Sequence, residues 1–139
     1  MTTVVDSNII VALLGPDDFL NRSAIAALKT YEQCELVMPA PVYAELLAGP
    51  QRTEAFLDAF CEEAGITIAW DLDEMVWRAA GLAFQGYAAR RRRHGHHGPR
   101  QILTDFLIGA FAMRHKYQLL TLDRRLYRAA FPGLKIIVA

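Results

Sequence analysis

Short, dense apolar runs alternate along this chain with longer stretches in which apolar positions recur at helical spacing. Thr3-Val4-Val5 is a β-branched run ending at Asp6 and predicts a buried strand. Asn8 to Leu14 predicts a short helix stopped by Gly15-Pro16. Asp17 or Asp18 then stands where it can cap a helix whose apolar positions are Phe19, Ile25, Leu28 and Tyr31. Leu36-Val37-Met38 predicts a second strand, ended by Pro39. Pro41 suits the first turn of a helix that runs through Glu45 to Ala48 and stops at Gly49-Pro50. Thr53 to Ala64 reads as a further helix broken by Gly65, and Ile66 to Ala69 as a third strand. Asp71 or Asp73 can cap a long helix reaching Ala89, after which Arg90 to Pro99 reads as an exposed loop. A nearly all-apolar helix from about Ile102 to His115 is predicted to be buried on most faces. Leu119-Leu120-Thr121 and Ile136-Ile137-Val138 supply a fourth and a fifth strand, with Arg124 to Phe131 between them.

Strands alternating with helices predict an α/β fold: a central parallel sheet of about five strands with helices on both faces. The 139 residues fit one domain, 1–139. In such sheets ligands bind beyond the carboxyl ends of the strands, so acids placed there carry the most interest.

Composition adds three constraints. With 53% hydrophobic and 10% aromatic residues the chain can build a core, which excludes a disordered segment. Trp70, Trp77, Phe84, Phe106 and Phe111 are expected in that core; Tyr43, Tyr87 and Tyr127 are expected to pack, with stacking on bases as the other use of such rings. The apolar stretches Ile9 to Gly15 and Phe106 to Met113 are too short to span a bilayer, and the amino terminus shows no basic region or cleavage pattern. The expectation is a cytoplasmic protein with no membrane partner. Cys34 and Cys61 fit a reducing compartment and are read as core or near-core residues.

Net charge is zero, but its distribution is lopsided. Residues 1–75 hold thirteen acids against three bases, and residues 76–139 hold two acids against twelve bases. Such asymmetry means contact with a polyanion or neutralisation within one fold. Four acids stand apart from the solvated ones. Asp6 ends the first strand, Asp123 follows the fourth, Asp105 opens the most apolar helix, and Glu45 sits among Tyr43, Ala44, Leu46 and Leu47. Taken singly, Asp6 and Asp105 could serve helix amino ends and Asp123 a turn. Taken together, Asp6 and Asp123 end parallel strands at one edge, and Glu45 and Asp105 are flanked so as to face it. Several hard oxygen ligands without a neutralising lysine suit Mg²⁺ or Mn²⁺, which can activate water against a phosphodiester.

These residues carry a resemblance. Val4-Val5-Asp6-Ser7-Asn8-Ile9-Ile10 resembles the opening motif of PIN domains, and Val42-Tyr43-Ala44-Glu45-Leu46-Leu47-Ala48-Gly49 their second. Leu103-Thr104-Asp105-Phe106-Leu107-Ile108-Gly109-Ala110-Phe111-Ala112 resembles the third, and Leu120-Thr121-Leu122-Asp123-Arg124-Arg125-Leu126-Tyr127 the fourth. Four motifs in order cover essentially the whole chain, and the pattern is most similar to VapC-type toxins.

The resemblance implies that Asp6, Glu45, Asp105 and Asp123 bind one or two Mg²⁺ or Mn²⁺ ions, and that Ser7, Asn8 and Thr121 orient ligands or water. It implies a metal-dependent endoribonuclease leaving a 5′-phosphate and a 3′-hydroxyl, with no histidine base. A homodimer and a cognate antitoxin of a type II toxin–antitoxin pair come with it. Arg90, Arg91, Arg92, Arg93 and Arg100 flank His94, His96 and His97 just before the helix of Asp105, and are read as a grip on the RNA backbone. Those histidines lack a cysteine or carboxylate that would complete a zinc set.

Three rivals fit the residues less well. A receiver-like regulatory domain needs a paired acid and a lysine ending the last strand; Asp6-Ser7-Asn8 has no pair, and Lys135 begins that strand. A haloacid-dehalogenase-type phosphatase needs Asp-x-Asp, and Asn8 holds the second position. A PIN-like module that binds RNA without cutting it is opposed by the full set of four acids.

Overall fold

The computed structural model describes residues 1–95 and 104–139. In chain order these form β1 (Thr2–Val5), α1 (Ser7–Leu14), α2 (Asn21–Thr30), β2 (Glu35–Pro39), α3 (Ala40–Leu47) and α4 (Glu54–Ala64). They are followed by β3 (Ile66–Ala69), α5 (Glu74–Arg93), α6 (Thr104–His115), β4 (Gln118–Thr121), α7 (Arg125–Ala130) and β5 (Ile136–Val138).

The five strands form one sheet in the order β3-β2-β1-β4-β5, every neighbour parallel. Val4 pairs with Val37 on one side and Leu119 on the other, so β1 is the central strand. The chain moves outward from β1 through β2 to β3, then returns past β1 to β4 and β5. The direction of travel therefore reverses between β1 and β4, which opens a crevice at their carboxyl ends. Right-handed crossovers send the leftward and rightward connections over opposite faces. Helices α1 and α6 both contact β4, and the expected α/β fold is the one found. A receiver sheet has the order 2-1-3-4-5 and is a different topology.

The core is built from the strands and the helices beside the crevice. Val4, Val5, Leu119 and Leu120 are completely buried, as are Ile9 in α1 and Phe106 and Ile108 in α6. Each such side chain contributes roughly 1.5–3 kcal/mol of transfer free energy. Local signals set the ends. Thr53 caps α4 by accepting from Phe56 N, Gly65 closes α4 at φ +71°, and Asp73, not Asp71, caps α5 by accepting from Val76 N at 2.9 Å.

Three expectations are corrected. The helix expected to follow Asp17 or Asp18 begins only at Asn21: the Asp18 carboxylate accepts from Leu20 N and holds a turn before it, which leaves Phe19 outside the helix and 90% exposed. Asn21 instead ties α2 to the end of α1, donating to Ala12 O at 2.8 Å. Arg90 to Arg93 are not loop but the last turn of α5. Arginine is a good helix former, and four cations suit the negative end of the helix dipole. Arg90 also donates to Ala129 O of α7, and Arg91 lies over the Tyr87 ring. Trp70 and Trp77 are 60% and 54% exposed rather than core: Trp70 packs edge-on to Tyr43, and Trp77 donates its indole N–H to Leu72 O. Phe106 and Phe111 are buried, Cys34 and Cys61 are free thiols, and no helix among the described residues is long and apolar enough to cross a membrane. The start of the helix placed at Ile102, and His96, His97 and Arg100, lie outside the described residues.

Candidate active site

The reversal between β1 and β4 fixes the first two positions. Asp6 follows the last residue of β1, and Thr121 is the last of β4; Asp6 N donates to Leu120 O, extending the ladder one step past the strand. The backbone of Asp6 is extended, and its carboxylate accepts from Ser7 N at 2.7 Å, so it caps α1. Capping and membership of the cleft are thus one arrangement, since both aim the carboxylate past the strand end.

Asp6 is only 2% exposed. One oxygen takes the Ser7 amide, and the other takes the Thr121 hydroxyl at 2.8 Å. That hydroxyl has one proton, which goes to the charged acceptor, and its lone pairs accept from Asn8 Nδ2 and Asp123 N. Asn8 Oδ1 in turn accepts from Leu122 N. The side chains of Ser7, Asn8 and Thr121 therefore lock β1, α1 and the β4 exit together. Ser7 reaches further, donating its hydroxyl to Glu45 Oε1 at 3.1 Å and linking α1 to α3.

Asp6, Ser7, Asn8, Glu45, Asp105, Asp123, Leu126 and Tyr127 line one cleft of about 290 Å³. All four sequence-selected acids are brought to it, from β1, α3, α6 and the β4–α7 turn. Their electrostatics differ. Burial pushes Asp6 up to about 6, opposed by the Thr121 hydrogen bond and aided by the charge of Asp105. Asp105 is also raised, by burial and then by Glu45 and Asp123, against the Tyr127 hydrogen bond. Asp123 behaves oppositely: the Arg125 side chain grips both its oxygens, the shortest contact being 2.7 Å, and holds its carboxyl down at about 2. The expectation of acids without a cation thus needs correcting at Asp123. Asp6, Glu45 and Asp105 have no ion-pair partner among the described residues.

Hard oxygen donors, with Asp6 and Asp105 each raised in part by a neighbouring carboxylate, fit Mg²⁺ or Mn²⁺ better than a soft metal. No three acids or histidines among the described residues stand close enough to enclose an ion by themselves. That suits a cation that takes one or two carboxylates and keeps several waters. Buried side-chain polar atoms among the described residues are all satisfied within the protein.

Tyr127 was not singled out as part of the site from the sequence. It is 2% exposed, beneath the acids, and its hydroxyl donates to Asp105 Oδ1 at 3.2 Å. Burial and the charges of Asp6 and Asp105 drive the phenol far up, so it stays a donor. Its signal was positional: four residues beyond Asp123, it falls within the helix that leaves the β4 exit. Arg90 to Arg93 are not among the residues that line this cleft. Tyr87, one turn before Arg91, packs edge-on against Phe106, the residue after Asp105.

The PIN domain family model matches residues 3–132. No curated protein matches the chain. Among solved structures the chain is similar to a toxin-antitoxin complex from Klebsiella pneumoniae, with TM-score 0.67 at 18% identity over 98% of this chain and 96% of that one. It is also similar to VapBC-1 from nontypeable Haemophilus influenzae, with TM-score 0.66 at 21% identity over 99% and 98%. A third is VapBC2 from Rickettsia felis bound to a DNA fragment from their promoter, with TM-score 0.64 at 18% identity over 100% and 99%. At these identities the likeness is one of fold.

Proposed function

This chain belongs to the PIN-domain family, and from that premise we propose that it is a metal-dependent endoribonuclease acting as the toxin of a type II toxin–antitoxin pair. The observation that carries the nuclease reading is the convergence of Asp6, Glu45 and Asp105 on one cleft with no ion-pair partner among the described residues. Solved toxin–antitoxin complexes of the same fold support the toxin reading and its cognate antitoxin; a homodimer and a cytoplasmic setting are further parts of the proposal.

In this reading Asp6, Glu45, Asp105 and Asp123 would hold Mg²⁺ or Mn²⁺, one or two of them directly and the others through the ion's waters. Bound there, the ion supplies the positive charge that makes water a competent nucleophile near neutral pH and offsets the phosphate. The chain's own residues do the placing. Thr121 and the Ser7 amide fix both oxygens of Asp6, and Ser7 aligns Glu45 with it. Asn8 and Thr121 hold the strand exit so that Asp123 stays at the rim. Water adds to phosphorus and the 3′-oxygen leaves with a proton, giving a 5′-phosphate and a 3′-hydroxyl.

The arginine end of α5 is the proposed backbone grip, with Arg90, Arg91, Arg92, Arg93 and Arg100 as its members. Arg92 and Arg93 are exposed, whereas Arg90 and Arg91 also have the intramolecular partners described above. Phosphate contacts of this kind give affinity without sequence preference.

The test is cleavage of structured RNAs by the purified protein with Mg²⁺ or Mn²⁺, with EDTA, and by Asp6→Asn. Cutting is expected only for the wild type with metal. Cutting that survives EDTA or the substitution rules out the metal mechanism, and binding without cutting favours the RNA-binding reading.

A further inference from the structure

We infer that Tyr127 is a positioning residue, whose hydroxyl holds the Asp105 carboxylate beside Asp6 so that the two present a ready-made pair of oxygen donors to a hard divalent cation. The inference rests on the metal-site reading above and extends it to a residue outside the four acids.

Asp6 and Asp105 reach the cleft on very different supports. Asp6 has the Ser7 amide on one oxygen and the Thr121 hydroxyl on the other, so the Tyr127 hydroxyl, which also bears on Asp6, is only a third support there. Asp105 sits on α6, and among the described residues its carboxylate has one hydrogen-bond donor, the Tyr127 hydroxyl at 3.2 Å. Two like charges near each other repel, and a carboxylate on a rotatable side chain relieves that by turning away. A buried phenol donating to Asp105 from below opposes that turn.

The reach of Tyr127 depends on how closely α7 approaches α6, and a second contact sets that distance. Asp105 and Gly109 are one turn apart on α6; Tyr127 and Phe131 are one turn apart at the end of α7. Phe131 lies directly against Gly109, where a side chain would overlap its ring. Phe131 also packs on Phe106. The helices thus meet at two levels, an apolar one at Gly109 and Phe131 and a polar one at Asp105 and Tyr127. The small residue at the first level admits the ring, and the close approach brings the hydroxyl within reach at the second. Partners that orient ligands in this way change metal affinity by about 10–100-fold when removed.

The experiment is Mn²⁺ binding, read by electron paramagnetic resonance of the free ion, on the wild type, Tyr127→Phe, Asp105→Asn and the double variant. Circular dichroism and melting in EDTA are recorded for each. Tyr127→Phe keeps the ring and is expected to melt close to the wild type but to bind Mn²⁺ about tenfold more weakly. In the Asp105→Asn background the loss of the hydroxyl should cost nothing further. Gly109→Ala, which keeps the hydroxyl but displaces Phe131, should weaken Mn²⁺ as well, and gives a second reading if Tyr127→Phe does not fold. Wild-type affinity in folded Tyr127→Phe overturns the inference while leaving the metal site standing. So does an equal loss in the Asp105→Asn background. A wild-type protein that binds no Mn²⁺ overturns both.

Discussion

Phe131 lies with its ring edge against the Cα of Gly109, so closely that a β-carbon at 109 would overlap the ring. Neither residue is free to move aside: Gly109 is buried within α6, and Phe131 is 6% exposed at the end of α7. Gly109→Ala should therefore destabilise the protein by about 1–3 kcal/mol, the usual cost of overpacking, although alanine is the better helix former. Urea unfolding checks this. An unchanged midpoint would mean the ring slides aside at little cost.

Most of the fold was legible because the signals were local and redundant. Val4-Val5, Val37-Met38 and Leu119-Leu120 are dense apolar runs of strand length, and a parallel sheet buries such runs on both faces. The convergence of Asp6, Glu45, Asp105 and Asp123 followed from strand order, since the acids end strands or sit among apolar neighbours. What failed depended on which way particular side chains turn, along one element or between two. Arg90 to Arg93 looked like a loop because a charge run carries no apolar period, yet α7 offers Arg90 a carbonyl and Tyr87 offers Arg91 a ring. Trp70 and Trp77 looked like core from their apolar neighbours, but an indole beside apolar residues can still lie along the surface with its N–H satisfied, as Trp77 does. Tyr127 and the Asp123–Arg125 pair were invisible for the same reason: no spacing tells which way a side chain turns.

Asp6→Asn separates function from stability. Burial lifts the folded-state value of Asp6 from 3.8 to about 6, so between those values the folded protein binds more protons than the unfolded chain. Its contribution to stability is then full below about pH 4 and is lost as pH rises through about 6. The loss is of order 3 kcal/mol. In EDTA, Asp6→Asn should raise the melting temperature relative to wild type at pH 7.5 and gain much less at pH 4.5, while RNA cleavage is abolished. A variant less stable than wild type at pH 7.5 would show that hydrogen bonding to the charged form outweighs its burial.

Arg125→Ala addresses the acid that is paired. The pair is exposed and screened by solvent, so melting should barely change. Removing the guanidinium frees both oxygens of Asp123 at the rim, and Mn²⁺ affinity should rise a few-fold. Calorimetric titration reads it. Weaker binding in the variant would instead place the Arg125 side chain among the groups that keep Asp123 correctly turned.

The arginine end of α5 makes a graded prediction, because its members differ in what else they hold. Arg92 and Arg93 are exposed, and their replacement by glutamine should leave stability near wild type. Removing one arginine–phosphate pairing should weaken binding of a single-stranded RNA at low salt and lower the slope of log affinity against log salt by about 0.7. Arg90 has a structural task as well: its Nη2 donates to Ala129 O, near the carboxyl end of α7. Arg90→Gln should therefore lower the melting temperature in addition to any effect on RNA, since a helix end loses a charged donor. Filter binding across a salt series, with melting curves on the same preparations, separates the two. If Arg92→Gln and Arg93→Gln leave both low-salt affinity and salt slope unchanged, the four cations serve the helix dipole and the grip on RNA lies elsewhere.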